Sequence, residues 1–520
     1  MPVAILSPRV KSATPIGRAN VGVRNYALLF FGCLLFHMAG TWSLPLIDRD
    51  EPRFAEASRE MIERGDYIVP RFNNQLRLDK PPLAYWAQAA SYRVFGQNDF
   101  AARFPSAFAA ALTALSIFAW SSRIGGAVVG WSAAIIFTLS LQTFLHAKAA
   151  VADMWLVLFV TLAHWAGCEL LRDSLTNSDP PPSNIERGTF FWWWTFYLSL
   201  AFAFLAKGPI GWTPLLTILS TKIFLAEPKL NHRFRFVAGL LFMFAIVALW
   251  GIPALIRTRG QFFVVGIGRH VVGRSFAAME GHGADSLGMY LLLLPFYFVT
   301  IFISFFPWSI KLPWLIGKLR RKQEAATAPQ VRNQSGRDQV DSYLIAGAAI
   351  IFIIFTLVKT KLPHYTLPAF PMLALLLARR FAAENATHFL RNCALASASA
   401  YLAIAIVVPP FVARFFPAYQ LFQESRAHLQ PDMQFGSVEF EEPSIVWYFR
   451  SRVSGFLMPM NNRRAGDFMT EAAPRFVIVP TSLSTTLFTN HPETWKMFST
   501  RGFNLARGKR VELTLVLKPE

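Results

Sequence analysis

Cysteine is scarce in this chain of 520 residues: there are three, Cys33, Cys168 and Cys393, and each falls inside a long apolar run. A disulfide framework is therefore not expected, and the three thiols read as small apolar packing groups. Acid is the second scarcity, with 31 Asp and Glu against 51 Lys and Arg, a formal charge of +20. There is no CxxC or HExxH, and no GxGxxG or Walker loop opens a helix, so nucleotide-driven pumping has no motif behind it.

What is abundant is apolar surface. The chain is 53% hydrophobic with 49 Phe and 15 Trp, and its mean hydropathy is +0.35. Runs of roughly 17–25 apolar residues suffice to cross a bilayer. Such runs lie near 26–47, 102–121, 126–146, 149–171, 190–206, 209–226, 236–256, 289–316, 341–358, 362–378 and 392–412. The expected fold is a mainly α, polytopic membrane protein of about 11–13 transmembrane helices. The run 289–316 is long enough to be tilted or broken at Pro295 or Pro307. The first run lacks a small-residue cleavage site and reads as a retained span.

Basic clusters at span ends set the orientation. Arg9, Lys11, Arg18 and Arg24 precede the first span; Lys222 to Arg235, Lys318 to Lys322 and Arg379 to Arg391 mark three further cytoplasmic loops. Because these clusters hug span ends, they do not form the solvated face that nucleic acid needs. Residues 1–25 are thus expected inside, 26–412 in the membrane domain, and loop 48–101, loop 257–288 and the tail 413–520 outside. Segments 173–188 and 323–340 are Pro-, Ser-, Gln- and charge-rich and read as flexible cytoplasmic loops.

Loop 48–101 concentrates nine acids: Asp48, Asp50, Glu51, Glu56, Glu60, Glu63, Asp66, Asp79 and Asp99. Asp50 can cap a helix with Pro52 in its first turn. Phe54, Ala57, Ser58 and Met61 recur at helical spacing, Arg53, Glu56, Glu60 and Arg64 share the other face, and Gly65 ends the run. Such a helix lies flat on the membrane or on the bundle and fixes Asp50 and Glu51 near the headgroups. The tail shows short runs, 438–440, 445–449, 476–479 and 511–517, predicting a small α/β domain, with Ser444–Phe449 equally readable as a helical turn.

Lys207, Lys359 and Lys361 fall in short outer turns, against the positive-inside bias, and Lys148 is a fourth candidate. Snorkelling explains any one of them. Several together, with Arg257, Arg259, Arg269, His270, Arg274 and His282 of the loop 257–288, would make a cationic shelf able to hold a lipid-linked phosphate. Asp153, inside an apolar run, is costly in lipid unless paired, and is a functional suspect for that reason.

Residues 50–86, DEPRFAEASREMIERGDYIVPRFNNQLRLDKPPLAYW, resemble the first extracytoplasmic loop of the C-type integral-membrane glycosyltransferases. The branch they resemble is that of bacterial aminoarabinose (lipid A) transferases, related to protein O-mannosyltransferases. AVADMWL around Asp153, the Lys207-Gly-Pro turn, FFVVGIGRHVVGRSF around His270 and KTKLPHYTLPAFPMLALLLA extend the match over most of 25–412. The resemblance implies transfer of a sugar, 4-amino-4-deoxy-L-arabinose in that branch, from a polyprenyl-phosphate carrier to lipid A or a related envelope acceptor on the periplasmic face of the bacterial inner membrane. It implies Asp50 as the catalytic carboxylate with Glu51 and Asp153 beside it. Lys80, Arg53, Lys207, Arg274, Lys359 and Tyr365 would serve the donor phosphate. A divalent metal ion is the cofactor it suggests, at the residue before Lys80 and at a loop histidine. Those positions are Asp79, where the branch usually has Glu, and His270.

The residues agree with that chemistry. A lipid phosphate leaves as a stable anion, so the site must supply cations, and a carboxylate can take the proton of a hydroxyl acceptor. Lys80-Pro81-Pro82 stiffens the backbone that carries the ammonium. A mannosyl- or other hexosyltransferase acting on protein or envelope polysaccharide is the same-class alternative. A lipid or sugar transporter is the rival from another class; it should place ionisable groups mid-membrane on broken helices, often in repeats, and no repeat is visible here.

Overall fold

The computed structural model describes residues 22–172, 175, 185–225, 230–273, 286–327, 339–505 and 507–519. Six described helices are long and apolar enough to cross a membrane: Asp99–Gly125, Thr189–Lys207, Leu230–Arg257, Val340–Leu357, Pro363–Ala383 and Thr387–Ala413. The pair Ala127–Thr138 and Leu141–Ala147, bent by 68°, makes a seventh if counted as one span. Among the described residues, the remaining apolar runs form shorter or broken helices, so sequence hydropathy counts more runs than there are full-length crossings there. Run 289–316 breaks at both prolines, into Leu287–Leu292, Phe296–Ser304 and the turn Trp308–Lys311. Prolines end helices there because each lacks an amide and clashes with the preceding turn.

The first six helices frame the site: α1 (Val23–Met38), α2 (Asp50–Arg64), α3 (Leu83–Phe95), α4 (Asp99–Thr138), α5 (Leu141–Ala147) and α6 (Asp153–Leu170). Asn98 starts α4 by accepting from the Ala101 amide at 2.8 Å. Gly126, at φ 83°, then interrupts it, a conformation that costs a glycine little. Ala109, Ala110, Ala111 and Ala114 of α4 are fully buried. Small side chains let α4 approach α1, α6 and Phe370–Ala383 closely. By contrast, Leu230–Arg257 exposes Val237, Leu241 and Leu249, an apolar outer face suited to lipid and not to water.

A short ribbon, β1 (Arg71–Phe72) and β2 (Gln75–Leu76), follows α2. After Ala413 the chain builds a five-stranded mixed sheet from β3 (Gln434–Ser437), β4 (Leu457–Pro459), β5 (Arg475–Pro480), β6 (Lys496–Asn504) and β7 (Lys509–Lys518). The order is β4-β3-β5-β7-β6, with β3 parallel to β4 and β5, and β7 antiparallel to β5 and β6. The segment Pro443–Phe449 is a fully buried helix.

That buried helix joins the tail to the first loop. α2 ends at Gly65, left-handed at φ 65°, but Asp50 is its first helical residue and Arg49 occupies the cap. The charged face of α2 is not a solvent face. Arg59 donates to the Trp447 carbonyl at 2.9 Å and to Glu56 at 2.8 Å, with its guanidinium 3.9 Å above the Trp447 ring. Arg450 pairs with Glu56 and Glu63. Asp48 accepts from Ser444 at 2.8 and 2.6 Å, and Asp99 accepts from Trp447 and Tyr448 at 2.7 and 3.0 Å. Leu46, Ala55, Tyr92 and Ala101 share one apolar core with Phe435, Ile445 and Phe476. Loop 48–101 and the tail therefore pack as one body.

Candidate active site

Five chain segments line one cavity, around Lys80, Asp153, Lys207, Phe355 and His364. Asp153 opens α6 and is 8% exposed; Lys207 closes the helix Ile185–Lys207. An acid at a helix start and a base at a helix end each complement the peptide dipoles. The two side chains meet at 2.5 Å. Gly208, at φ 81°, and Pro209 then turn the chain away. His364, in the tight turn Pro363–Ala369, brings Nε2 to 3.9 Å from the same Asp153 oxygen. The ring of His146, near the end of α5, lies 4.8 Å from that of His364.

The cavity measures about 520 Å³ and is lined by Lys80, Asp153, Lys207, His364 and Tyr365 at its polar end. Leu156, Val157, Ile210, Leu215, Ile354 and Phe355 make its apolar wall. Leu216 also lines it and is 47% exposed on the apolar outer surface, so the cavity reaches the lipid-facing side. Lys207 Nζ stands 5.5 Å from the Tyr365 ring centre, and that ring packs 4.8 Å from Phe355. Trp212 Nε1 and Thr213 Oγ1 belong to lining residues and are buried with no hydrogen-bond partner among the described residues. An unanswered buried donor is costly, and a polar ligand would relieve it.

The other sequence candidates are distributed differently. Asp50 is exposed at the start of α2 and does not line the cavity. Its charge acts on Arg77, whose pKa is held above the ordinary arginine value although burial opposes it, the Tyr85 oxygen and Asp79 being the larger favourable influences. Glu51 is buried and committed: it accepts from Arg103 at 2.9 and 2.7 Å and from the Ile47 and Ala150 amides, both at 2.7 Å. It thereby fixes the start of α2, on which Asp50 and Arg53 sit. Arg53 is half-buried beside Asp48.

Lys359 is half-buried in the turn before Lys361 and outside the cavity lining. Lys361 donates instead to the carbonyls of Phe355 and Thr356 at 2.9 and 2.5 Å. Lys148 does the same for α1, reaching His37 and Ala39 at 2.8 and 2.6 Å. Arg274 and the side chain of His270 lie outside the described residues. Asp79 is ion-paired with Arg77 at 3.2 Å, and the same guanidinium donates to Tyr85 at 2.8 Å. Arg77 thus sits beside one oxygen of the carboxylate, Oδ2, while the other, Oδ1, is buried.

Sequence reasoning missed His146, His364, Trp212 and Thr213. His364 stands within KTKLPHY, next to the Pro that turns it into the cavity. His146 carries no local signal, because its neighbours in space are 7 and 218 residues away along the chain.

The fold is that of the C-type integral-membrane glycosyltransferases. It superposes on the crystal structure of ArnT from Cupriavidus metallidurans bound to undecaprenyl phosphate with a TM-score of 0.67, at 17% identity, covering 95% of this chain and 98% of that one. Residues 79–252 match the family model described as dolichyl-phosphate-mannose-protein mannosyltransferase. The chain is 31% identical over 340 residues to the undecaprenyl phosphate-alpha-4-amino-4-deoxy-L-arabinose arabinosyl transferase 2 of Sodalis glossinidius, covering 64% of this chain and 54% of that protein. It is 28% identical over 369 residues to the corresponding transferase of Pectobacterium atrosepticum, covering 69% and 58%. The matched region thus spans little more than half the length of these curated relatives. The resemblance seen in residues 50–86 stands: this is a multi-span membrane protein similar to the aminoarabinose transferase branch.

Proposed function

We propose that this protein transfers a sugar, 4-amino-4-deoxy-L-arabinose, from a polyprenyl-phosphate carrier to lipid A or a related envelope acceptor. The reaction would take place at the periplasmic face of the bacterial inner membrane, with the N-terminus cytoplasmic and the tail outside. The observation that carries this reading is the cavity: an apolar, lipid-facing wall leading to two lysines, His364 and Tyr365. That combination suits a lipid tail joined to a phosphate. The relatives named as arabinosyl transferases and the neighbour bound to undecaprenyl phosphate support the same donor.

In the reaction, the acceptor oxygen attacks the anomeric carbon and the bond from that carbon to the phosphate oxygen breaks. The carrier leaves as a phosphate monoester. Lys80 and Lys207, with Tyr365, Arg53, Arg274 and Lys359 as further candidates, answer the growing negative charge, and Asp153 orients Lys207. Asp50 takes the proton of a hydroxyl acceptor, and an acceptor phosphate, largely ionised at neutral pH, needs that help less. The mannosyltransferase family model over 79–252 supports a second reading, hexosyl transfer to protein or polysaccharide.

The test uses purified protein in liposomes with radiolabelled polyprenyl-phosphate aminoarabinose or mannose, and lipid A or peptide as acceptor. Aminoarabinosyl lipid A is the expected product. Mannosyl product selects the second reading, and movement of the carrier without bond cleavage replaces both with a transporter.

A further inference from the structure

Besides Asp79, which Arg77 faces, the structure offers another set of possible ligands. His146, Asp153 and His364 each present one ligand atom, and these atoms all lie within 4.8 Å of one another. We propose that this triad is a binding site for a first-row divalent metal such as Zn2+, at the polar end of the cavity. The inference rests on the reading of that cavity as the seat of the carrier phosphate.

Three features favour it. Two imidazoles and one carboxylate are a donor set that first-row divalent ions accept, and three protein ligands leave a position open. That position would face the cavity. Second, the spacing is close to what an ion requires: ligand atoms about 2.0–2.1 Å from a tetrahedral centre are about 3.4 Å apart. Asp153 Oδ1 and His364 Nε2 are already at 3.9 Å, so small rotations of the rings close the set. Third, the Gln142 amide holds His146 Nδ1 at 2.9 Å. With the amide oxygen turned towards Nδ1–H, Nε2 is left as the ligand, the arrangement by which outer partners orient metal-binding histidines.

Charge decides when the ion binds. Lys207 shares Asp153 Oδ1, so an incoming cation displaces the ammonium, which can swing into the cavity. Lys207 and a divalent ion would then outweigh Asp153 by two charges, an excess that a phosphate dianion offsets. Metal binding and carrier-phosphate binding should therefore strengthen each other. If the two rings merely stack beside the Asp153–Lys207 pair, no ion binds at all.

The experiment uses the full chain on a histidine-free tag, stripped with chelator in detergent and titrated with Co2+, whose visible bands report coordination; zinc content is read by mass spectrometry. The wild type should take one ion per chain, more tightly when a short-chain polyprenyl phosphate is present. His146→Ala and His364→Ala should lose the bands, with His→Asn versions as substitutes if either fails to fold, and Gln142→Ala should weaken affinity about 10–100-fold. A folded wild type that takes no ion, or histidine variants that bind as well as the wild type, overturns the site. Polyprenyl-phosphate binding is measured on the same metal-free preparations. If it persists while no ion binds, the proposed function stands and the metal site alone falls; if the wild type binds no polyprenyl phosphate, the proposed function falls.

Discussion

The seam that fixes α2 to α4 and to the tail, and the cavity around Asp153, use the same residue types to opposite ends. In the seam, each acid is answered by a cation or by hydrogen-bond donors: Glu51 by Arg103 and two amides, Glu56 by Arg59 and Arg450, and Asp48 by Ser444. In the cavity, two lysines and a histidine face one lining carboxylate, Asp153. Acids held by several donors give rigidity, whereas an excess of one sign leaves something for a ligand to neutralise. The difference separates the acids and bases of loop 48–101 into those that hold the loop and those that it holds in place.

The largest effect should come from breaking the seam. Glu51 and Arg103 are 4% and 1% exposed, and removing one partner of a buried pair costs about 3–5 kcal/mol. Arg103→Ala and Glu51→Ala should each lower the thermal midpoint in detergent by many degrees, with transfer lost only as the fold is lost. An unchanged midpoint with lost transfer would move Glu51 from the seam to the chemistry.

Lys80 should give the opposite pattern. Lys80→Ala should cost about 2–5 kcal/mol of transition-state stabilisation while leaving the midpoint nearly unchanged. Lys80→Arg should recover only part, since a planar fork is not a point charge. Kinetics on polyprenyl-phosphate sugar, run beside thermal melts, check both statements, and near-normal turnover of Lys80→Ala would remove it from the phosphate site.

A pH dependence of the seam follows from two carboxyls. Burial raises Asp48 to about 7, against the hydrogen bonds from Ser444, with Glu442 adding to the rise and Arg53 opposing it. Burial and then Glu56 raise Glu60 to about 7, against Arg450 and the Asn73 and Asn74 amides. A carboxyl whose folded pKa lies above its unfolded value binds more protons folded, so its contribution to stability falls as pH rises from about 4 through about 7. Asp48→Asn should flatten part of that slope, leaving the part due to Glu60. The check is the thermal midpoint between pH 4 and 8 for both proteins; equal slopes would show that Asp48 ionises freely.

How much of this was legible follows the same division. Periodicity located α2 and its Gly65 stop, because local spacing and a positive-φ residue suffice for that. The apolar runs announced a multi-span protein, yet within the run 209–226 residues 209–223 became two 3-10 turns around the short helix Thr213–Ser220, since hydropathy cannot see where the backbone bends. The amphipathic pattern of α2 reads as a helix lying flat on the membrane or on the bundle. That its charged face would be covered by Pro443–Phe449, nearly 400 residues later, is a tertiary fact with no local trace. Lys207 and Asp153 each stood out as ions in apolar surroundings, but the pairing of one with the other, and of both with His364, needed the fold.

The smallest expected effect concerns the lysines that appeared alike in sequence. Lys148 and Lys361 sit on carbonyls at the ends of α1 and Val340–Leu357, whereas Lys207 lines the cavity. A cation at a helix end contributes typically about 0.3–1 kcal/mol, and up to about 2 in partly buried geometry. Lys148→Met and Lys361→Met keep the apolar stem and remove the charge, so each should lower stability by no more than that and leave the rate of sugar transfer at the wild-type level. Lys207→Met should reduce transfer strongly, and it should also lower the melt, because Asp153 is left buried without its partner. Thermal melts and transfer rates on the three variants, measured together, decide the matter. If Lys148→Met loses transfer without losing stability, its ammonium leaves the carbonyls of α1 during the reaction and belongs with the cavity after all.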